Sequence, residues 1–452
     1  MKQGSGKILT EGSIIKNLIR LSVPIILTNI LQTAYNLTDT FWVGRLGKIP
    51  VAAVSLSFPI IFIIISLGSG LAIAGSILVA QKKGAKDDKA VIHIATQTFY
   101  TVITIAIGLA FIGYFITPDL VQIMKTEPQV YDETITYLKI SFLGLPALFF
   151  YLIFQSLMRS LGEVQLPFYI VLSTVLLNLL LDPLFIFGYN DLIQAKGVAG
   201  AAIATVSTQT LAAGISLYFL FKGYKGLQIK LRDYYPDFSI IKSLIKLGIP
   251  VSIEQVSRAT GIFVMVMLVS GFGTIALAGY GIGSRILSFI IIPAFGIGMA
   301  TSTLVGQNIG AKAYDRVKIT IQYSLKIAFG VLGIFGILIY IYARHIAKFF
   351  IPEDTTTIDE STLFIKFLAV SFGFLGVLIV IIGSFRGAGK TKISMLLAVF
   401  SVWIIRFPLA YYLGYKAGLK EKGIWISYPF TNFITALIGI YFLIKYKWFN
   451  NE

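Results

Sequence analysis

The 452-residue sequence contains no cysteine and only two histidines, His93 and His345. The first absence excludes disulfides, thiolate metal sites and thiol nucleophiles together. The second leaves almost nothing from which to build a histidine zinc site or a hydrolase triad. Charge is also scarce. Charged residues make up 13% of the chain, against about 25% in a soluble domain. Hydrophobic residues reach 56% and the mean hydropathy is +0.82. These values exclude an ordinary soluble enzyme, a disordered chain and a secreted disulfide scaffold, and they describe an integral membrane protein. The net charge of +17 is read as the Lys and Arg that orient such a chain in its membrane, not as a nucleic-acid footprint.

Apolar stretches able to cross about 30 Å recur along the whole chain. They fall near 14–43, 49–80, 91–116, 131–158, 165–189, 197–221, 239–270, 274–305, 317–344, 358–385, 392–415 and 422–445. Twelve transmembrane helices are expected; the runs are too uniformly apolar for barrel strands, which alternate over about ten residues. The first stretch is too long for the apolar region of a signal peptide. Basic residues favour the N-terminal tail and the loops after helices 2, 4, 6, 8 and 10, with Lys82, Lys83, Lys86 and Lys89 in one loop and Lys222, Lys225, Lys230 and Arg232 in another. The positive-inside rule then places both termini in the cytoplasm, in a prokaryotic inner (plasma) membrane.

The chain repeats itself. A shift of 226 residues superimposes Leu18-Ile19-Arg20-Leu21 on Leu244-Ile245-Lys246-Leu247 and Pro24 on Pro250. It also pairs Gly47 with Gly273, Gly70 with Gly296, Gln81 with Gln307, and Gly84-Ala85-Lys86 with Gly310-Ala311-Lys312. A unit of six helices returns the chain to its starting side, so the halves are parallel repeats. The expected organisation is an N-terminal lobe over 1–221, a cytoplasmic linker over 222–238 carrying Tyr234, and a C-terminal lobe over 239–452. Two such lobes suit a transporter, although fold alone does not define function.

Polar residues inside the spans narrow the reading. An ionisable group near the bilayer centre costs at least about 2.5–3.5 kcal/mol and is functional by default. Helix 1 carries Gln32, Tyr35, Asn36 and Asp39 at i, i+3, i+4 and i+7, one polar stripe facing protein or a water-filled cavity. Helix 5 carries Thr174, Asn178 and Asp182 on one face, helix 6 adds Thr205, and helix 4 adds Tyr137 and Gln155. By depth, Asp39, Asp182 and Thr205 all belong in the outer half of the first lobe. Two carboxylates brought together there suit a shared proton or, with amide and hydroxyl oxygens, a sodium ion. Pro183 frees the carbonyl of Leu179, and Pro24 frees that of Arg20 and makes helix 1 a place to bend. The second lobe differs. Met265 stands where the shift would put Asp39, and Glu254 and Arg258 form an i,i+4 pair, a candidate second-lobe site with an equally good structural role.

Two motifs mislead. Gly387-Ala388-Gly389-Lys390-Thr391 resembles the end of a phosphate-binding loop, but Ser384 occupies the first glycine position and a membrane helix precedes it. Asn36-Leu37-Thr38 is a formal glycosylation sequon within helix 1.

Pro24, Gln32, Tyr35, Asn36 and Asp39 followed by Gly44-Arg45-Leu46-Gly47, Asn178 with Asp182-Pro183, the Gly-Ala-Lys loops and Arg386-Gly387-Ala388-Gly389 together resemble the multidrug and toxic compound extrusion (MATE) family, in its DinF-like prokaryotic branch. The resemblance implies an all-α membrane protein of twelve helices, two six-helix repeats forming a V-shaped central cleft. It implies a cation-coupled antiporter, not an enzyme, exporting organic, often cationic and amphipathic compounds by alternating access. The cation would bind at Asp39 and Asp182 with Asn178 and Thr205 as neighbours, all four being ligands if the ion is sodium. Gln32, Tyr35, Asn36, Tyr137 and Gln155 would line the cavity, and Pro24 would be the hinge. No cofactor beyond the coupling proton or sodium ion is expected, no nucleic acid, and the chain would work as a monomer in the lipid bilayer. A helix 10 acid, which NorM-like members pair with the helix 7 acid, is missing between Leu363 and Phe385. The alternative reading is a flippase of lipid-linked oligosaccharide in the same superfamily, for which Arg258, Arg285 and Arg406 would supply basic charge.

Overall fold

A computed structural model describes residues 9–190, 192–229 and 235–446. Lys230, Arg232 and Tyr234 of the expected linker lie outside these residues. The described chain is helical, and it forms α1 (Ile14–Gly44), α2 (Lys48–Gly84), α3 (Asp88–Ile123), α4 (Pro128–Ser160), α5 (Gln165–Phe187) and α6 (Gly197–Phe221) in its first half. The second half holds α7 (Phe238–Ser270), α8 (Thr274–Gly310), α9 (Tyr314–Phe350), α10 (Thr355–Val370), α11 (Phe372–Gly387), α12 (Thr391–Lys416) and α13 (Lys420–Lys445). Eleven of these are long and apolar enough to cross a membrane, and α10 with α11, bent by 48° at Ser371, makes a twelfth span. The expected count is met, and the tenth span is the broken one. Prolines 24, 59, 118, 146, 183, 250, 293 and 429 all lie inside helices. Neighbouring helices make such positions tolerable in a membrane by satisfying the freed carbonyls.

The repeat is written in the backbone as well as in the letters. Gly47 (φ 113°) and Gly273 (φ 97°) open α2 and α8, which both run for 37 residues. Lys86 (φ 59°) and Lys312 (φ 55°) are left-handed at the turns that follow. A non-glycine residue at positive φ is uncommon, so two at one repeat position report the same turn built twice.

The chain forms two compact units. One spans Leu27–Ser252, and the other joins Leu9–Ile26 to the chain from Ile253 onward. The expected halves therefore exchange the first part of one helix each, α1 and α7, just past Pro24 and Pro250. The repeated glycines make room for these segments. In the first unit a Cβ on Gly70 of α2 would meet the Gly248 carbonyl of α7 at 2.7 Å and the Ser252 hydroxyl. In the second, a Cβ on Gly296 of α8 would meet Ile26 of α1, with the Ser22 carbonyl at 3.3 Å. Small residues that let helix backbones approach are the usual currency of packing in membranes.

Each unit has its own apolar core. In the first, Phe149, Phe154, Leu157 and Met158 of α4 are fully buried against α2 and α3. In the second, Phe364 of α10 and Trp425 of α13 lie with ring centroids 4.1 Å apart, and Tyr280 of α8 stacks on Phe364 at 5.3 Å.

Candidate functional site

The C-terminal half of α1 brings Tyr35 and Asp39 into the first unit. Val43, Ile186 and Ala201 pack there with Trp42, Leu46 and Val54, which ties the ends of α1 and α5 to the start of α6. Gly200 takes the α6 backbone directly onto the Phe185 carbonyl of α5. One turn and more inside this apolar seal sit the polar groups. Asp182 and Asn178 are completely buried, Thr174 and Tyr137 nearly so, and Asp39 and Thr205 are half-buried.

Asn178 Nδ2 donates to Asp182 Oδ1 at 2.9 Å across one turn of α5. The Tyr35 hydroxyl meets Thr208 Oγ1 at 3.1 Å and also bonds Thr205, joining α1 to α6. Thr208 Oγ1 also lies within hydrogen-bond reach of the carbonyls of Ala204 and Thr205. Asp39 and Asp182 each act electrostatically on Tyr35 and Tyr137, and Asp39 acts on Asp182. The structure therefore gathers Tyr35, Asp39, Tyr137, Asn178, Asp182 and Thr205 into one neighbourhood.

Three oxygens in it lack a hydrogen-bond partner: Asp39 Oδ1, Asn178 Oδ1 and Asp182 Oδ2, each buried. Buried acceptors are nearly always satisfied, and an unsatisfied one asks for a water or an ion. A carboxylate, a second carboxylate and an amide carbonyl are oxygen donors suited to a hard monovalent cation. Among the described residues no cluster of three or more His, Cys, Asp or Glu side chains forms a transition-metal site.

Other expected residues stand apart. Gln32 and Asn36 are exposed, outside the hydrogen-bonded cluster. Gln155 lies eighteen residues beyond Tyr137 on α4 (155 − 137), roughly 27 Å along a helix rising 1.5 Å per residue. Thr208 was not anticipated. It lies one turn from Thr205, and the polar run around it, Thr205, Ser207, Thr208, Gln209 and Thr210, spreads over several faces of α6 and does not single out the one that meets α1.

In the second unit the Glu254 and Arg258 pair forms, and it has a third member. Arg258 Nη2 bonds Glu254 Oε1, while Arg386 Nη2 at the end of α11 is 2.8 Å from Glu254 Oε2. Glu254 is fully buried and Arg386 almost so. Arg258 also lies over the Phe295 ring at 5.3 Å. Arg285 stacks on Phe350 at 5.7 Å. The bridge from α7 to α11 joins residues far apart in sequence; Arg159, which stands 227 residues before Arg386 (386 − 159) and is likewise followed three residues on by a glycine, is buried too.

Comparison with known proteins agrees with the repeat. The MatE family profile matches twice, over residues 24–184 and 250–412. The chain is similar to the probable multidrug resistance protein YoeA of Bacillus subtilis, 29% identical over 97% of this chain and 95% of that one. It is also similar to the probable multidrug resistance protein NorM of Thermotoga maritima, 27% identical over 96% and 93%. Among solved structures, the outward-facing conformation of a multidrug resistance MATE family transporter of the MOP superfamily superimposes with a TM-score of 0.91, at 25% identity and 98% coverage of both chains. The chain belongs to the MatE family of membrane transporters.

Proposed function

We propose that this MatE transporter is a multidrug exporter driven by a proton or sodium gradient, with the coupling cation held in the first unit. The observation that carries this reading is the set of three buried, unpartnered oxygens on Asp39, Asn178 and Asp182. Uptake of a cation satisfies them and cancels charge that is expensive in a low-dielectric site. The names of the relatives, multidrug resistance proteins covering nearly the whole chain, support the substrate class of small organic compounds.

Asp39 sits on α1, whose two parts belong to different compact units, and Pro24 lies beside that division. Cation binding at Asp39 and Asp182 would remove the reason for the C-terminal half of α1 to keep its position, and the helix would bend near Pro24. Coupling follows when substrate and cation have different affinities for the two arrangements, since a ligand that binds both equally shifts nothing. Tyr35 reports the change, because its bonds to Thr205 and Thr208 hold α1 to α6. The chain would work as a monomer in the plasma membrane with both termini in the cytoplasm.

The test is dye efflux from proteoliposomes under a proton or a sodium gradient, in wild type and Asp39→Asn. Drive by either gradient that disappears in the variant supports the reading and names the ion. Full gradient-driven efflux by a folded Asp39→Asn protein would sink it.

A further inference from the structure

Arg406 of α12 is half-buried, and its guanidinium meets no carboxylate among the described residues. It ends a π-helical stretch, Phe400–Arg406, within α12, the kind of local widening that often accompanies functional sites. Its Nη2 donates to Asn432 Oδ1 at 2.9 Å and its guanidinium lies 4.5 Å from the Tyr428 ring centroid. Its Nε is buried and meets no acceptor. The groups that act on it electrostatically are Tyr428 and Tyr280, and none of the ion pairs among the described residues includes it. A guanidinium offers five N–H donors and keeps its charge. One amide oxygen and one ring face answer only part of this: the buried Nε has no acceptor, and the charge has no carboxylate counter-ion among the described residues.

The surroundings add donors and no negative charge. The hydroxyls of Tyr280 and Tyr428 are 2.9 Å apart. Asn432 Nδ2 donates to Ser371 Oγ, 3.0 Å away at the break between α10 and α11. Thr431 and Thr435 are fully buried, and neither hydroxyl has a partner. Tyr428, Thr431, Asn432 and Thr435 follow one another at i, i+3, i+4 and i+7, so they share one face of α13. The repeat places this cluster opposite the first unit's site in kind. Thr431 is Thr205 shifted by 226, and Arg406 lies two residues before Pro408, the position on which the same shift places Asp182. Unpartnered carboxylate and carbonyl oxygens in one unit answer to unpartnered N–H and O–H groups in the other.

We propose that Arg406, with Tyr428, Asn432 and the hydroxyls of Thr431 and Thr435, forms a binding site for a small monovalent anion. That anion is supplied either as the carboxylate of a transported organic compound or as a free chloride ion. The planar fork of the guanidinium matches a carboxylate in two parallel hydrogen bonds, and the threonine hydroxyls turn toward whatever negative atom enters. The site gives the exporter a means of accepting compounds that carry an acid group. It does not rest on the coupling role of Asp39 and Asp182, because its occupancy is an equilibrium property that needs no gradient.

The experiment is isothermal titration of the full-length protein in neutral-lipid nanodiscs, with sodium benzoate or sodium chloride, in a buffer free of halide and carboxylate. Saturable binding of benzoate alone assigns the site to the carboxylate of an organic compound, and saturable binding of chloride alone assigns it to the free ion. Mutual competition between the two assigns one site to either source. In each case Arg406→Gln weakens binding at least tenfold and Thr435→Val at least threefold. Absence of saturable binding by wild type overturns the proposal, as does an unchanged affinity in a folded Arg406→Gln protein. Should that variant not fold, Thr435→Val decides alone, and an unchanged affinity there overturns the proposal equally.

Discussion

Asn178 holds Asp182 from one turn away, its Nδ2 donating to Oδ1 at 2.9 Å, and the bond leaves Asp182 Oδ2 and Asn178 Oδ1 both buried and free to accept. The amide thus aims the carboxylate and contributes an oxygen of its own. A hydrogen bond to a charged group is worth about 1.5–3 kcal/mol. Asn178→Ala is therefore expected to raise the cation concentration for half-maximal efflux by about tenfold or more, at 1.4 kcal/mol per factor of ten. Gradient-driven dye efflux measured against cation concentration checks this, and an unchanged midpoint would remove Asn178 from the site.

Glu254 pairs with two guanidinium groups, those of Arg258 and Arg386, its single charge shared between them. Removing one partner of a buried ion pair costs about 3–5 kcal/mol, because the charge left behind has no counter-ion. Glu254→Gln leaves two such charges facing each other, whereas Arg386→Met leaves a one-to-one pair. The first substitution is expected to lower the melting temperature clearly more than the second, as read by thermal unfolding in detergent. The reverse order would mean that the pair of arginines answers to some other acid.

Gly296 and Gly330 separate crowding from helix propensity. A Cβ on Gly296 would meet Ile26 and the Ser22 carbonyl, while one on Gly330 of α9 meets nothing within 4 Å. Overfilling a packed contact costs about 1–3 kcal/mol. Gly296→Val is expected to destabilise the protein by that order and Gly330→Val hardly at all. Equal melting temperatures for the two variants would contradict the close seating of the first half of α1 on α8.

Asp237, at the start of α7, ties the end of the linker to α3. Its Oδ2 accepts from His93 Nε2 at 3.0 Å, and its backbone N–H donates to Gln97 Oε1 at 3.1 Å. The bond from His93, followed by the N–H groups of Ile240 and Ser239, holds the Asp237 carboxyl below its usual range. A lowered carboxyl contributes its full stability above its ordinary value, about 4, and loses it as the pH falls through the lowered folded value. The melting temperature of wild type should exceed that of Asp237→Asn at pH 5, and the gap should close toward pH 3. A gap independent of pH would show that the ionised form gives the clamp nothing.

The charge-poor composition, twelve apolar stretches and the 226-residue repeat already establish a helical membrane protein built twice, since length and hydrophobicity decide what can cross a bilayer. Asp39, Asn178 and Asp182 were legible for the same reason, because a carboxylate or amide in such a run has few places to go. Contacts between distant helices were not legible. The bond from Tyr35 to Thr208 and the bridge from Glu254 to Arg386 depend on the depth and rotation of one helix against another; a polar stripe such as that of helix 1 marks a face that needs a partner, not the helix that supplies it. The same holds for the exchange of the first parts of α1 and α7. Composition and periodicity determined which segments become helices and which polar groups need a partner. Only the tertiary packing, through side-chain volumes at crossings such as Gly70 with Gly248, decided which partner each would find.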